Sequence, residues 1–304
     1  MKRSSSGLRV LVTGSASHLA QALLPRLCNQ PGIERVTAVD LRPTAFTHPR
    51  LATHLLDLTV ADPARWLTDH DALVHLAWVV LRGHMPLARM RAVNVTASQR
   101  WLGAAAETGL ARIVHLSSAS VYGHGQHLAE NAPLSPLPGF HYACHKAELE
   151  RWLDAQQLTM VRLRPHIILG PHAQPLLRAI LHLPFWPAFP DPQPQLQCVH
   201  ENDVAEAILL TLLQTEEGPF NLAAPGSFSL RDAIRAHNPF AFGIPPRLAA
   251  MFQRWIWRLT SAGGEPGWVH GAGHSLTLDC SRAQTRLGWQ AKVPLATMTG
   301  TIAG

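Results

Sequence analysis

The sequence predicts an α/β fold: a doubly wound parallel sheet over residues 1–170, with a smaller lobe mainly over 171–304. Three observations lead there. Short apolar, β-branched runs alternate with helix-period stretches through the first half, the pattern of βαβ units whose sheet is covered on both faces. Near Pro171 the texture changes to a proline- and aromatic-rich stretch. A composition of 47% hydrophobic and 15% charged residues suits a chain of 304 residues that buries a sizeable core.

Leu8–Thr13 reads as the first strand, followed by a helical pattern from His18 to Cys28. Arg35–Asp40, His54–Asp57, Ala72–Ala77 and Ile113–Ser117 are further strand-like runs, with a long helical pattern, Pro86–Thr108, before the last of them. After Gly139 a helix runs to Ala155, and Leu158–Arg164 reads as another strand. Between His172 and Gln197, residues such as Pro184, Pro187 and Pro190 argue against a regular helix. Val204–Leu213 is helical and Pro219–Leu222 a short strand. Pro246–Leu259 is an amphipathic helix with Leu248, Met251, Phe252, Trp255, Ile256 and Leu259 on one side. The boundary near 171 is soft, because segments such as Asp203–Leu213 can fold back onto the first domain.

Several function classes fall away. No apolar run reaches the ~18 residues that a membrane span needs. The basic, serine-rich start, Met1 to Gly7, leads into a strand and not into the apolar core of a signal peptide. Cys28, Cys144, Cys198 and Cys280 are scattered without a C-x-x-C pair, which argues against disulfides or zinc and for a reducing, cytoplasmic setting. The net charge of +6 comes almost wholly from dispersed arginines, since the only lysines are Lys2, Lys146 and Lys292. Without a basic block, anionic nucleotides explain that bias at least as well as nucleic acid. His141 and His145 have the i,i+4 spacing of a metal pair, but no Glu motif or third ligand accompanies them.

Val10 to Ala20 reads as strand, turn and helix start. In such a turn glycines let the backbone approach a pyrophosphate, and the helix N-terminus at His18 and Leu19 offers free N–H groups. Gly14 is the one glycine of T-G-x-x-G-x-x-G that is present; Ser17 and Ala20 occupy the other two sites. Ser17 either crowds a phosphate with its Cβ or donates a hydrogen bond to it. Asp40 ends the second strand, where a carboxylate accepts ribose hydroxyls and repels a 2′-phosphate. NAD is therefore expected in preference to NADP, although Arg42 nearby could accommodate that phosphate.

Tyr142 and Lys146 stand one helical turn apart, hence on one face. A phenol titrates near ~10, too high for a general base at neutral pH, and a fixed cation lowers that value. With two tyrosines and three lysines in the chain, chance gives such a pair a probability of about 0.02. Ser118 lies just past the strand Ile113–Ser117, where ligands of open parallel sheets gather, and can hydrogen-bond a substrate oxygen. Ser117 is its neighbouring competitor.

These residues, taken in order, resemble the extended branch of the short-chain dehydrogenase/reductases, the NAD-dependent epimerase/dehydratase family. The resemblance runs from Thr13-Gly14 through Asp57-Leu58, Val74 to Ala77, Asn94-Val95, Ser117-Ser118 and Val121-Tyr122-Gly123 to Tyr142 and Lys146. Arg164-Pro165, Gly170-Pro171, Val199-His200, Asp203-Val204-Ala205 and Leu287-Gly288-Trp289 complete it. It implies a Rossmann-type fold with Ser118, Tyr142 and Lys146 as the catalytic set, Ser118 being the serine four residues before Tyr122. It places Asp57 near the adenine, Ala77 in the cofactor channel and Lys146 on the nicotinamide ribose. The expected cofactor-binding set is Gly14, Ser17, His18, Leu19, Asp40, Asp57, Leu58, Leu76, Ala77, Asn94, Tyr142, Lys146 and Pro165, with no metal ligand.

Two departures narrow the reaction. Sugar dehydratases of the family carry an Asp-Glu pair where this chain has Ala119-Ser120, which disfavours dehydration. Arg164-Pro-His-Ile167 replaces an R-Y-F-N segment of the uridine-diphosphate-sugar epimerases, and with it the asparagine. The expected function is hydride transfer at a hydroxyl or carbonyl carbon of a small molecule, as dehydrogenase or epimerase, in a homodimer. The alternative is a non-catalytic protein that senses the nucleotide on the same fold.

Overall fold

The apolar runs assemble into one seven-stranded sheet in which every pairing is parallel. Across it the order is Leu51–Leu55, Ile33–Asp40, Leu8–Thr13, Ala72–His75, Arg112–Leu116, Val161–Pro165 and Gly218–Leu222. The computed structural model describes residues 7–81, 83–260 and 267–298; the basic start read above, Met1 to Ser6, lies outside them. Period-two alternation divides the first strand between two cores. Val10 and Val12 pack with Leu23, Leu24 and Leu27 of the helix His18–Asn29. Leu11 points the other way, to Trp101, Leu102, Leu149 and Leu153.

Because the first strand is central, the chain runs outward to one edge and then crosses back to begin the other half. This reversal opens a crevice at the carboxyl ends of Leu8–Thr13 and Ala72–His75, the place where such sheets bind ligands. Gly14 permits it. Its φ is +74°, and a Cβ there would meet the Ala77 backbone nitrogen at 2.5 Å.

The third strand is Leu51–Leu55, not His54–Asp57, with Asp40 paired to Leu55. It is an edge strand, so burial does not impose an alternating pattern on it. Asp57 instead starts a turn, its Oδ1 accepting from the Thr59 amide at 2.8 Å and the Thr59 hydroxyl at 2.6 Å. The strand at Ala72 stops at His75, and Leu76 and Ala77 leave the sheet towards the crevice. Pro86–Thr108 is not one regular helix but Leu87–Arg91, a π-helical turn Ala92–Ala97, and Ser98–Glu107. Within the stretch expected to be irregular, Pro175–Leu181 is helical, since proline is tolerated in a first turn.

Residues beyond 171 contribute to the sheet unit. The helix Glu201–Leu213 places Val204 and Ile208 in the same core as Leu23, and Ala283, Leu287 and Trp289 close that core. The remaining chain forms two-stranded pairs, among them Phe185–Pro187 with Phe242–Ile244, and carries the helices Pro246–Thr260 and Gly267–Ala272.

Candidate active site

Strand Arg112–Leu116 delivers Ser117 and Ser118 to the crevice. Ser118, extended at φ −163°, caps the short 3₁₀ turn Ala119–Tyr122. Its Oγ accepts from the Ser120 amide at 3.2 Å and from the Ser120 hydroxyl at 2.9 Å. Its own proton is thereby left to give, and its hydroxyl is near enough to Tyr142 to favour the ionised phenol. Helix His141–Ala155 carries Tyr142, Lys146 and Glu150 at successive i,i+4 positions, stacked on one face.

The electrostatics differ from the sequence expectation in one respect. Burial raises the Tyr142 pKa above the ordinary phenol value, and the nearby Ser118 hydroxyl opposes the rise. Lys146 is almost fully buried, donates to the Leu116 carbonyl, and lies 3.5 Å from the centroid of the Trp78 ring. Its first contacts are thus the strand end and an indole face, and its charge does not lower the phenol as the spacing alone suggests. Burial holds the Lys146 pKa well below the usual lysine range, and the Glu150 carboxylate works against that.

Glu150 is the centre of a buried network that sequence reasoning missed. Its Oε1 accepts from the Ser117 hydroxyl at 2.5 Å and from Arg164 Nε at 3.0 Å, and its Oε2 accepts from the other arm of the same guanidinium at 2.5 Å. Arg164 also donates to the Tyr122 hydroxyl at 2.6 Å, which in turn donates to Asn221 Oδ1 at 2.8 Å. Tyr122 is therefore part of the scaffold under the serine loop. The period that pairs Tyr142 with Lys146 reaches Glu150 one turn on, and that was its signal. Beneath the site, His75 bonds Thr13 Oγ1 at 2.8 Å and Ser98 Oγ at 2.9 Å, and burial pushes its pKa down to about 3.

At the nucleotide end, Ser17 caps helix His18–Asn29, its Oγ accepting from the Ala20 amide at 3.4 Å. His18 and Leu19 occupy the first turn, whose N–H groups have no intrahelical acceptor. Asp40 accepts from the Ala16 amide and the Arg42 amide, each at 3.0 Å, one on each oxygen. It braces the turn while each oxygen retains a lone pair. The exposed Arg42 guanidinium donates to the Ala16 carbonyl at 3.2 Å.

Asp57 also receives Arg89 at 3.4 Å, and the buried Leu58 accepts from Trp101 Nε1 at 3.1 Å. Leu76 is buried, and Ala77 stands against Gly14. The fully buried Asn94 spends both ends of its amide on Val79, accepting from the Val79 amide at 2.7 Å and donating to the Val79 carbonyl at 3.0 Å. In this structure it fixes the loop after strand Ala72–His75. Pro165 ends its strand, buried next to Arg164. Trp268 comes from the lobe, its ring 5.5 Å from that of Tyr142 and 4.9 Å from that of Phe140. No local signal in the sequence marks it. Among the described residues no cluster of three or more His, Cys, Asp or Glu side chains is arranged to hold a metal ion.

The family model described as "NAD dependent epimerase/dehydratase family" matches residues 10–223. The chain belongs to this family. Among solved members of the fold, MoeE5 in complex with UDP-glucose and NAD is similar with a TM-score of 0.74 and 24% identity, over 97% of each chain. UDP-glucose 4-epimerase of Thermus thermophilus in complex with NAD gives a TM-score of 0.73 and 22% identity, over 97% of this family member and 98% of the epimerase. At these identities the likeness is one of fold. In sequence, the chain is 30% identical over 229 residues to an uncharacterised protein of Mycobacterium tuberculosis, covering 74% of this chain and 22% of that one. It is also 30% identical over 187 residues to a 3 beta-hydroxysteroid dehydrogenase/Delta 5-->4-isomerase of the same organism, covering 57% of this chain and 50% of the relative. The match thus spans about a fifth of the length of the first of these curated relatives.

Proposed function

We propose that the chain is an NAD-dependent oxidoreductase or epimerase acting at a hydroxyl or carbonyl carbon. In this reading Tyr142 is the acid/base, Ser118 binds the reacting oxygen and Lys146 holds the nicotinamide ribose. The observation that carries it is the gathering of Ser118, Tyr142 and Lys146 at the carboxyl ends of the central strands: Ser118 follows strand Arg112–Leu116, its hydroxyl acts on the Tyr142 phenol, and Lys146, one turn further along the same helix, reaches the Leu116 carbonyl.

The residues fit a dinucleotide. The Gly14–Ala77 approach shapes the crevice; the helix N-terminus at His18 and Leu19 would hold a pyrophosphate, and Asp40 would accept ribose hydroxyls and favour NAD over NADP. Solved neighbours of the same fold hold NAD. When bound, NAD supplies the hydride acceptor. Ser118, with its oxygen already serving two Ser120 donors, donates a hydrogen bond to the substrate oxygen and keeps its proton. Tyr142 takes the substrate's hydroxyl proton on oxidation and returns one on reduction. Its burial resists ionisation, and the Ser118 hydroxyl works against that resistance.

The Phe140 and Trp268 rings beside Tyr142 favour an apolar carbon skeleton, the substrate class named for the steroid-dehydrogenase relative. The test incubates the protein with NAD and either a 3β-hydroxysteroid or UDP-glucose. NADH formation with the steroid alcohol is expected. Turnover of UDP-glucose alone would sink the apolar-substrate part. Tight NAD binding with no turnover of any alcohol would instead support a nucleotide sensor.

A further inference from the structure

Helix Pro246–Thr260 is mounted with its apolar side outward. Ala249 is buried and Ala250, Gln253 and Trp257 are half-buried, so the face against the protein is made of small and mixed residues. The outward stripe, Leu248, Met251, Phe252, Trp255, Ile256 and Leu259, is 42–75% exposed. A lobe helix normally turns such a stripe to the core, and an exposed apolar patch of this extent marks an interaction site. The patch continues beyond the helix. The Phe252 ring lies 6.2 Å from that of Phe185, which pairs with the exposed Phe242 on the neighbouring strand.

Charge defines the partner. Arg247, Arg254 and Arg258 are all exposed. At 100° per residue they fall on one line along the border of the stripe, next to Met251. No acidic residue occurs between Ala233 and Gly264. We propose that this face docks on an anionic lipid bilayer, with the helix lying in the interfacial plane. The stripe enters the acyl boundary, Trp255 sits at headgroup depth, and the three arginines meet lipid phosphates. A second copy of the chain fits less well, because an antiparallel twofold contact through this helix sets the same arginine row against itself.

The placement also serves the site. His84, in the loop after strand Ala72–His75, donates to the Trp257 carbonyl at 2.8 Å. The next helix, Gly267–Ala272, brings Trp268 against Tyr142. One lobe thus carries the bilayer face and also places Trp268 beside the candidate active site. This inference stands apart from the reaction proposed above.

The test is co-sedimentation of the full-length protein with vesicles of phosphatidylcholine alone and of an equimolar phosphatidylcholine–phosphatidylglycerol mixture. Binding to the mixed vesicles is expected, with little to the neutral ones and a loss on raising salt. Each basic residue near an anionic surface contributes roughly fivefold, so the variant Arg247→Gln/Arg254→Gln/Arg258→Gln should bind the mixed vesicles on the order of 10²-fold more weakly. Trp255→Glu/Leu259→Glu should abolish binding. Both variants should keep wild-type NAD affinity, since neither touches the crevice; should the glutamate variant fail to fold, the arginine variant decides. Equal binding to both vesicle types, or to neither, overturns the proposal. So does a wild-type dimer that the glutamate variant converts to a monomer, because a second copy then covers this face.

Discussion

Replacing Glu150 with Gln tests whether the buried carboxylate organises the site. The change keeps size but removes the charge that faces Arg164, itself only 3% exposed, with Glu150 at 0%. Arg162 loses a second ion pair at 3.4 Å, and the Ser117 hydroxyl loses its strongest acceptor. Breaking a fully buried pair from one side leaves an uncompensated charge and costs about 3–5 kcal/mol. For a chain of this size that lowers Tm by about 5–8 °C. Urea unfolding read by linear extrapolation measures the loss directly.

A second effect has a sign fixed by Lys146. Its folded pKa is depressed by burial, so stability tied to it is present above the ordinary lysine value and lost as pH falls towards the depressed one. Glu150 raises that folded value, and its removal enlarges the loss. The gap between wild type and Glu150→Gln should therefore stay constant through the lysine range and widen only once the pH falls below the depressed wild-type value. A loss under ~1 kcal/mol, the size of an exposed ion pair, refutes the network as described.

Three further outcomes follow from the same geometry. Tyr122→Phe leaves Asn221 and Arg164 each short of a partner, so it should cost about 1–3 kcal/mol in unfolding experiments while most turnover survives. Asp40→Ala should narrow the preference for NAD over NADP in calorimetric titrations; an unchanged ratio removes Asp40 from the ribose. Burial pushes His166 down to about 4, so its stabilising effect is present above pH ~6.5 and is lost as pH falls through its folded value, about 3 kcal/mol by pH ~4. His166→Gln should flatten the acid limb of the stability curve by that amount, and an unaltered limb assigns the acid sensitivity elsewhere.

What was legible in the sequence was local. Tyr142 and Lys146 share a helix face, Ser118 follows a buried strand, and Gly14 stands between a strand and a helix, so short-range spacing sufficed to find them. The third strand was placed three residues late because an edge strand has no buried face to impose alternation. The π-helical turn at Ala92 was invisible because its residues fit an ordinary helical period. Trp268 meets Phe140 and Tyr142 from a chain segment more than a hundred residues further on, and no pattern reports that. The apolar stripe of Pro246–Leu259 was plain in the sequence, but only the fold could say that it faces outward. The Lys146 ammonium was expected to lower the phenol, and its engagement with Leu116 and Trp78 shows that spacing on a helix does not fix where a long side chain points.

The most direct measurement of the central claim compares wild type with Tyr142→Phe, by NAD titration and by turnover of the alcohol that the wild type oxidises. The substitution keeps the ring against Phe140 and Trp268 and removes only the hydroxyl on which Ser118 acts. The account predicts unchanged NAD affinity and a fall in turnover of at least ~10²-fold, the low end for losing a positioned general acid/base. Near-normal turnover in Tyr142→Phe would contradict it.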